Sequence, residues 1–336
     1  MRTMMGILAA SLLAAEAGWV EQASGVTARL RGVSAVNERV VWASGAGGTI
    51  VRSADGGRTW RRLTIPGTEK LDFRDIDAID ERTAYVLSIG PGEASRIYKT
   101  RDGGASWELQ FQNREPKAFY DAMTFWSPKD GMVIGDEVDG QFAILQTGDG
   151  GKRWTRVGAE RLQAARKGEG AFAASGTNIA VMGKRHIWIG LNSGRVLASH
   201  DGGRRWEIAE TGLATSESAG IFSIAFRDAK HGIVVGGDYK QEGKAVDNAA
   251  ITADGGRTWR LVKGLRGLRS AVVWLPKAGG VVAVGPSGAE LSRDGGETWS
   301  AINGRGYHTF SAAPGMGVGW GAGEGGRIGR LERLPN

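Results

Sequence analysis

Cysteine is missing altogether from the 336 residues, and proline is scarce at 8. No disulfide framework can therefore be built, which fits an exported protein that is stable without one. Histidine occurs only at His186, His200, His231 and His308, with no spacing that gathers ligands, so no metal site is assigned. The 43 Lys and Arg exceed the 36 Asp and Glu for a formal net charge of +7, yet no basic run is longer than two residues. Such a charge draws a chain to anionic surfaces, but basic residues scattered without a nucleic-acid motif argue against a nucleic-acid partner. Catalytic signatures are missing as well. No G-x-S-x-G elbow presents a serine nucleophile, and no G-x-G-x-x-G follows a strand and opens a helix. No cofactor is therefore expected.

Long apolar runs are confined to the N-terminus. There "MRTMMGILAASLLAAEAGWVEQ" sets Arg2 before an apolar stretch from Met4 to Ala15, with small residues at Ala15 and Ala17. That is the form of a secretory signal peptide cleaved after Ala17, and it is too short for a stable transmembrane span. The sequence thus predicts a leader over residues 1–17, a periplasmic or secreted mature chain, and no transmembrane segment.

Glycine and tryptophan, by contrast, are plentiful at 55 and 12 residues. Many of them fall in one repeated phrase, S/T-x-D-G-G-x-x-W. Its acids are Asp55, Asp102, Asp149, Asp201, Asp254 and Asp294, each followed five residues later by Trp60, Trp107, Trp154, Trp206, Trp259 and Trp299. The intervals of 47, 47, 52, 53 and 40 residues suit a propeller blade of four antiparallel strands. In the first unit "LRGVSAV" reads as the inner strand, "RVVWASG" as the second and "GTIVRSA" as the third, before "DGGRTWRRL" turns into the fourth. The D-G-G core suits a tight hairpin, because Gly tolerates positive φ and Asp bonds nearby backbone. The Trp ring then packs between sheets.

A seventh unit is split between the two ends of the chain. Residues 307–332 supply three strands with no following D-G-G turn, while Trp19 aligns with the six box Trp residues. The strand over residues 18–23 would complete that blade. The expected fold is all-β: a seven-bladed β-propeller of four-stranded antiparallel blades, one domain over 18–336, monomeric, its ring closed by the N-terminal strand. The boxes themselves read as structural staples, since repetition serves an architecture and each turn offers one carboxylate where calcium wants six or more oxygens.

These boxes resemble the Asp-box or BNR repeats of sialidases, related glycoside hydrolases and sortilin-type receptors. Over the whole mature chain, "SRIYKTRDGGASW", "FYDAMTFWSPKDGMVIGDEVDGQFAILQTGDGG", "GEGAFAASGT" and "GGDY" resemble the seven-bladed photosystem II stability/assembly-factor family and its bacterial relatives. The resemblance implies a lumenal or periplasmic propeller that binds a protein partner.

Where the repeat departs from its minimum, function is sought. Four loops between second and third strands stay short. Three are enlarged: "GPGEASR" with Glu93 and Arg96, "GDEVDGQ" with Asp136, Glu137 and Asp139, and "GGDYKQEGKAVDNAA" with Asp238, Tyr239, Lys240, Lys244, Asp247 and Asn248. The connection "GAERLQAARKGEGAF" adds Arg161, Arg166, Lys167 and Glu169 on the same face. The starts of the inner strands add Arg31, Arg74 with Asp75, Tyr120 with Asp121, Arg269, and Tyr307 with His308. From these the expected binding rim comprises Arg31, Arg74, Arg96, Tyr120, Asp121, Asp136, Glu169, Asp238, Tyr239, Asn248, Arg269 and His308.

Two readings of that rim compete. The first is a non-catalytic scaffold that binds a protein partner, with a glycan as another ligand such a rim admits. The second is a glycoside hydrolase, with two carboxylates from Asp136, Asp139, Glu169 and Asp238 flanking the bond and Tyr239 or Tyr120 assisting. Against it, "TIP" at residues 64–66 lacks the arginine of the sialidase R-I-P motif, and this chain has one propeller where Asp-box xyloglucan hydrolases pair two. The scaffold is the preferred reading.

Overall fold

The structure, a computed structural model, describes residues 18–275 and 279–334. The expected leader and its cleavage point lie outside the described residues. Among these residues the only helical pieces are three-residue 3-10 turns at Gly92–Ala94, Ala159–Arg161 and Glu324–Gly326. No helix among them is long and apolar enough to cross a membrane.

Seven four-stranded antiparallel sheets stand around a common axis. Their inner strands are Leu30–Ala35, Asp72–Ala78, Tyr120–Phe125, Ile179–Met182, Ala219–Phe226, Ala271–Leu275 and Thr309–Ala312, heading blades 1 to 7. Burial explains the sequence pattern within a blade. Second strands such as Val41–Gly45 and Gly280–Gly285 are buried at every residue because neighbouring blades cover both of their faces. They accordingly read as continuous runs of small and apolar residues. Outer strands such as Arg61–Leu63 have one exposed flank and carry charge there.

The seventh blade is closed by the N-terminal strand. Gly18–Gln22 pairs antiparallel with Ile328–Arg333, setting Trp19 opposite Leu331 and Gln22 opposite Ile328. The Trp19 ring lies 4.4 Å from that of Tyr307 and 5.6 Å from that of Phe310. The closing strand thereby occupies a sheet edge that would otherwise be free to pair with another chain.

Each Asp-box is a self-contained knot. In the first, the Asp55 carboxylate accepts from the Thr59 amide at 2.9 Å, the Thr59 hydroxyl at 2.6 Å and the Ser53 hydroxyl at 2.8 Å. Ser53 Oγ in turn accepts from the Gly57 amide at 2.8 Å. Gly56 and Gly57 sit at φ +77° and +87°, a pair of left-handed residues that only glycine supplies cheaply. The other five boxes repeat the amide bond around Asp102, Asp149, Asp201, Asp254 and Asp294, and those of Asp102, Asp254 and Asp294 also the hydroxyl bond from four residues on, where Asp149 and Asp201 face Arg153 and Arg205. The carboxylates are thus engaged by their own turns.

The box Trp rings fasten blade to blade. Trp60 packs in the cluster shared by blades 7 and 1, Trp107 in that of blades 1 and 2, and Trp206 in that of blades 3 and 4. Trp154, Trp259, Trp299 and Trp19 do the same at the remaining four junctions. Each cluster joins the blade of its Trp to the blade before it.

Around the axis a second set of bonds joins consecutive inner strands. The amides of Ala35, Ala78 and Val272 donate to the hydroxyls of Ser311, Ser34 and Ser223 on the blade before. Between blades 2 and 3 the acceptors are carboxylates: Asp75 takes the Met123 amide and Asp77 the Phe125 amide, both at 2.6 Å.

The connection between blades 3 and 4 crosses the axis. Ala173 accepts from Arg74 of blade 2 at 2.8 Å, Ser175 Oγ donates to the Ser270 carbonyl at 2.6 Å, and the Ser175 carbonyl accepts from Thr309 of blade 7 at 3.0 Å. Phe172 stacks on Phe222 of blade 5 with centroids 4.2 Å apart. Gly176 takes φ +73°, and a Cβ at that position would run into the Asp75 carboxylate. This segment plugs the ring and separates one cavity from another of about 460 Å³ among the inner strands.

Candidate functional site

Above the plug, on the face opposite the Asp-box turns, lies a cavity of about 630 Å³. Its floor is Ala171–Ala174. Its wall comes from the starts of inner strands and from loops between second and third strands, including Ile89, Phe119, Asn192 and Glu324.

The inner strands of four blades place side chains into this cavity by the same device. In blade 1 Leu30 pairs with Gly45 and Gly32 with Ser44, leaving Arg31 as the extra residue of a β-bulge. Arg74 is the extra residue between Phe73 and Asp75, Asp121 between Tyr120 and Ala122, and Phe222 between Ile221 and Ser223. A bulge breaks the alternation of a strand and re-aims one side chain. Here all four re-aimed side chains line the cavity.

One side of the cavity is cationic. Arg74 Nε is 2.8 Å from Asp72, while Arg29 lies 3.9 Å from Asp72 and 4.0 Å from Glu324. Arg31 Nε is buried and has no hydrogen-bond partner. Burial, with Arg74 and Arg29 beside it, lowers the Arg31 pKa to about 10. His308 Nε2 stands 2.9 Å from Glu324, and burial followed by the nearby Arg31 brings its pKa down to about 4, so the ring is neutral at neutral pH.

The other side is acidic. Asp121 is only 2% exposed, and its Oδ2 has no partner. Burial, reinforced by the charge of Asp136, pushes the Asp121 carboxyl well above the usual range, against one backbone hydrogen bond from Ala171. Burial and the neighbouring Glu137 raise Asp136 to about 6. Between the poles stand Phe172 and Phe222, with Tyr239 edge-on to Phe172 at 6.0 Å and half exposed at the mouth. Glu242, from the same loop as Tyr239, completes that edge.

Of the rim expected from sequence, the cavity gathers Arg31, Arg74, Asp121, Asp136, Tyr239 and His308. The other six lie elsewhere. Arg96 bonds the Glu93 carbonyl and the Tyr98 hydroxyl. Tyr120 is buried with its ring against Phe111. Glu169 is buried in an ion pair with Arg195, which anchors the base of the plug segment. Arg269 is likewise buried against Glu290, its Nη2 at 2.6 Å, and Asn248 donates to the Gly267 carbonyl at 2.6 Å. Asp238 accepts from the Lys240 amide and lines a separate depression with Lys240 and Lys244.

Among the residues weighed for hydrolysis, Asp136 and Tyr239 reach the cavity, whereas Asp139 sits in an exposed turn 2.8 Å from Lys117. Among the described residues no group of three or more His, Cys, Asp or Glu could hold a metal ion. Sequence reasoning missed Arg29, Phe172, Phe222, Glu242 and Glu324. Phe222 was findable, since it occupies the same place in the repeat as Arg31, Arg74 and Asp121.

Comparison with known proteins places this geometry in context. Residues 290–301 match the model of the BNR/Asp-box repeat family. The sequence is 25% identical over 237 residues to the photosystem II assembly lipoprotein Ycf48 of Synechococcus sp. (strain CC9902). The match covers 58% of this chain and 65% of the relative, less than two thirds of the relative's length. A solved structure of YCF48 bound to D1 peptide matches with a TM-score of 0.68 over 96% of both chains, at 17% identity. One of YCF48 from Cyanidioschyzon merolae matches with a TM-score of 0.43 over 94% of this chain and 99% of that one, at 15% identity. The first of these shares the seven-bladed fold.

Proposed function

We propose that this chain is an exported, non-catalytic propeller that holds a segment of a protein partner in its plugged cavity and acts as a binding or assembly scaffold. The observation that carries the reading is the convergence of bulged side chains from blades 1, 2, 3 and 5 on one blind cavity of about 630 Å³. A bulge interrupts the strand ladder, and four of them aimed at one space serve recognition better than closure. Likeness in sequence to a photosystem II assembly lipoprotein, and in fold to a propeller solved with a peptide, supports the same reading.

The chemistry of capture follows from the wall. Arg29 and Arg74 are held by Asp72, Glu324 and the plug carbonyl, with the buried Arg31 beside them, so an anionic side chain or chain end meets guanidinium groups two of which are already in position. Little side-chain entropy is then lost on binding. Phe172, Phe222 and Tyr239 offer rigid aromatic surface for the apolar part of the segment. Export through a leader over residues 1–17 would bring this face to partners in the periplasm or outside the cell.

The test is affinity capture from the native envelope fraction with wild type, Arg31→Glu, and Arg96→Ala as a control outside the cavity. The partner is expected to be lost with Arg31→Glu and kept with Arg96→Ala. Equal capture by all three overturns the assignment of the face. N-terminal sequencing of the protein from that fraction should begin at Gly18.

A further inference from the structure

The arginines account for one side of the cavity and leave the other unexplained. Asp121 is buried to 2% exposure and lines the cavity with an Oδ2 that nothing in the fold satisfies. An acceptor deprived of water and partner costs about 1–3 kcal/mol, and a strand of ordinary register would have spared it. The bulge at Asp121 instead turns it toward the space. Asp136 stands beside it and lines the same wall. The two poles are also distinct. The ion pairs of Arg29 and Arg74 go to Asp72 and Glu324, and among the described residues none joins Arg29, Arg31 or Arg74 to Asp121 or Asp136. The arginines therefore do not neutralise the acids.

We propose that Asp121 and Asp136 form a subsite for a primary ammonium group of the bound ligand, so that the cavity grips a segment by a cationic group as well as by an anionic one. The inference rests on the reading of this cavity as a peptide-binding site and deepens it. Three features fit an ammonium in particular. Its donors can satisfy Asp121 Oδ2 and an Asp136 oxygen together. Phe172 and Phe222 stack on each other, and the outer face of a ring can still take a cation. A positive charge between the two carboxyls offsets the burial and mutual repulsion that oppose their ionisation. Asp121 is then driven toward the charged form, with release of the proton that burial keeps on it in the free protein, and the Asp136 carboxyl falls below its value of about 6. Glu137, which bears on Asp136, and Glu242, across the mouth, add to the negative field.

The experiment follows the aspartate carboxyl resonances of 13C-labelled mature protein by NMR. The probes are a blocked glycine peptide with one lysine, the same peptide with that lysine Nε-acetylated, triglycine amide with a free amino terminus, and a blocked glycine peptide with one glutamate. The lysine peptide is expected to shift the Asp121 and Asp136 resonances saturably and to lower the Asp136 midpoint from about 6, and the acetylated peptide to leave both unmoved. Asp121→Asn, close in shape and without a buried charge, is expected to weaken the lysine peptide about tenfold or more, as loss of one charge-assisted hydrogen bond does. Asp136→Asn should act in the same direction. A response to triglycine amide but not to the lysine peptide would assign the subsite to a chain amino terminus; the reverse assigns it to a lysine side chain. Equal response to the lysine and acetyl-lysine peptides, or undiminished lysine-peptide binding in Asp121→Asn, overturns the proposal. If the glutamate peptide still binds and is lost only in Arg31→Ala, the peptide-binding reading survives that failure. Loss of both kinds of response removes the two together.

Discussion

At the scale of single residues, carboxylates do three different jobs that their sequence contexts only partly disclose. Those of the Asp-boxes are ionised and satisfied. The Thr59 hydroxyl, the Thr59 amide and the Ser53 hydroxyl hold Asp55 down to about 2. A group with a depressed folded pKa stabilises above its unfolded value near 4 and loses that contribution as pH falls through the folded one. Urea denaturation from pH 5 down to pH 2 should therefore show a shallower loss of stability for Asp55→Ala than for wild type, from a lower starting point. Asp77 has the opposite sign. Burial raises it to about 6 despite its bond from the Phe125 amide, so protonation favours the fold, fully so below about pH 4, and the benefit is lost as pH rises through about 6. Asp77→Asn keeps an oxygen for that amide without the buried charge, and should stabilise the protein by roughly 1–2 kcal/mol at pH 8 while changing little at pH 4. Asp121 and Asp136 belong to the third group, aimed at a ligand. The D-G-G context announces the first group at a glance. Asp77 and Asp121 both stand in inner strands whose sequences do not say which side chain meets an amide of the next blade and which meets the cavity.

At the scale of strands and turns, repetition made most of the architecture legible. Six boxes fixed six hairpins, and Trp19 marked the missing outer strand of the seventh blade. Removing residues 18–24 should lower the thermal midpoint far more than trimming a frayed end, because it opens a sheet edge and strips the Tyr307 and Phe310 rings of Trp19. An unchanged midpoint in calorimetry would contradict ring closure by that strand. The box Trp residues differ in what they bury. Trp206 is 6% exposed and its replacement by Ala should cost about 3–5 kcal/mol in denaturant. Trp60 and Trp107 are half-buried and should cost less. Bulges were less legible, since each is a slip of one residue against a partner strand, and a lone strand carries no record of that partner. The column Arg31, Arg74, Asp121 and Phe222 nevertheless follows an apolar residue in every case and precedes a small or acidic one. Aligning the repeats recovers it, whereas a search for charged residues alone passes over Phe222.

At the scale of the whole molecule, the feature that makes a binding site of the ring is the plug, and nothing in the repeat foretells it. Its bonds run to Arg74, Ser270 and Thr309, residues 95 to 134 positions away, so they become visible only once the blades stand in a circle. An enlarged loop between blades 3 and 4 was evident from sequence; its path across the axis was not. The plug turns an open channel into a blind cavity whose two charged sides are kept apart, and the account of the protein as a partner-binding scaffold stands on that cavity. The most direct measurement is site-specific photocrosslinking in the native envelope, with a benzophenone amino acid placed at Tyr239 on the mouth of the cavity or at Thr59 on the opposite, Asp-box face. The account predicts a discrete protein adduct from position 239, abolished when Arg31→Glu is added, and none from position 59. Adducts from position 59 alone, or from position 239 regardless of Arg31, would contradict it.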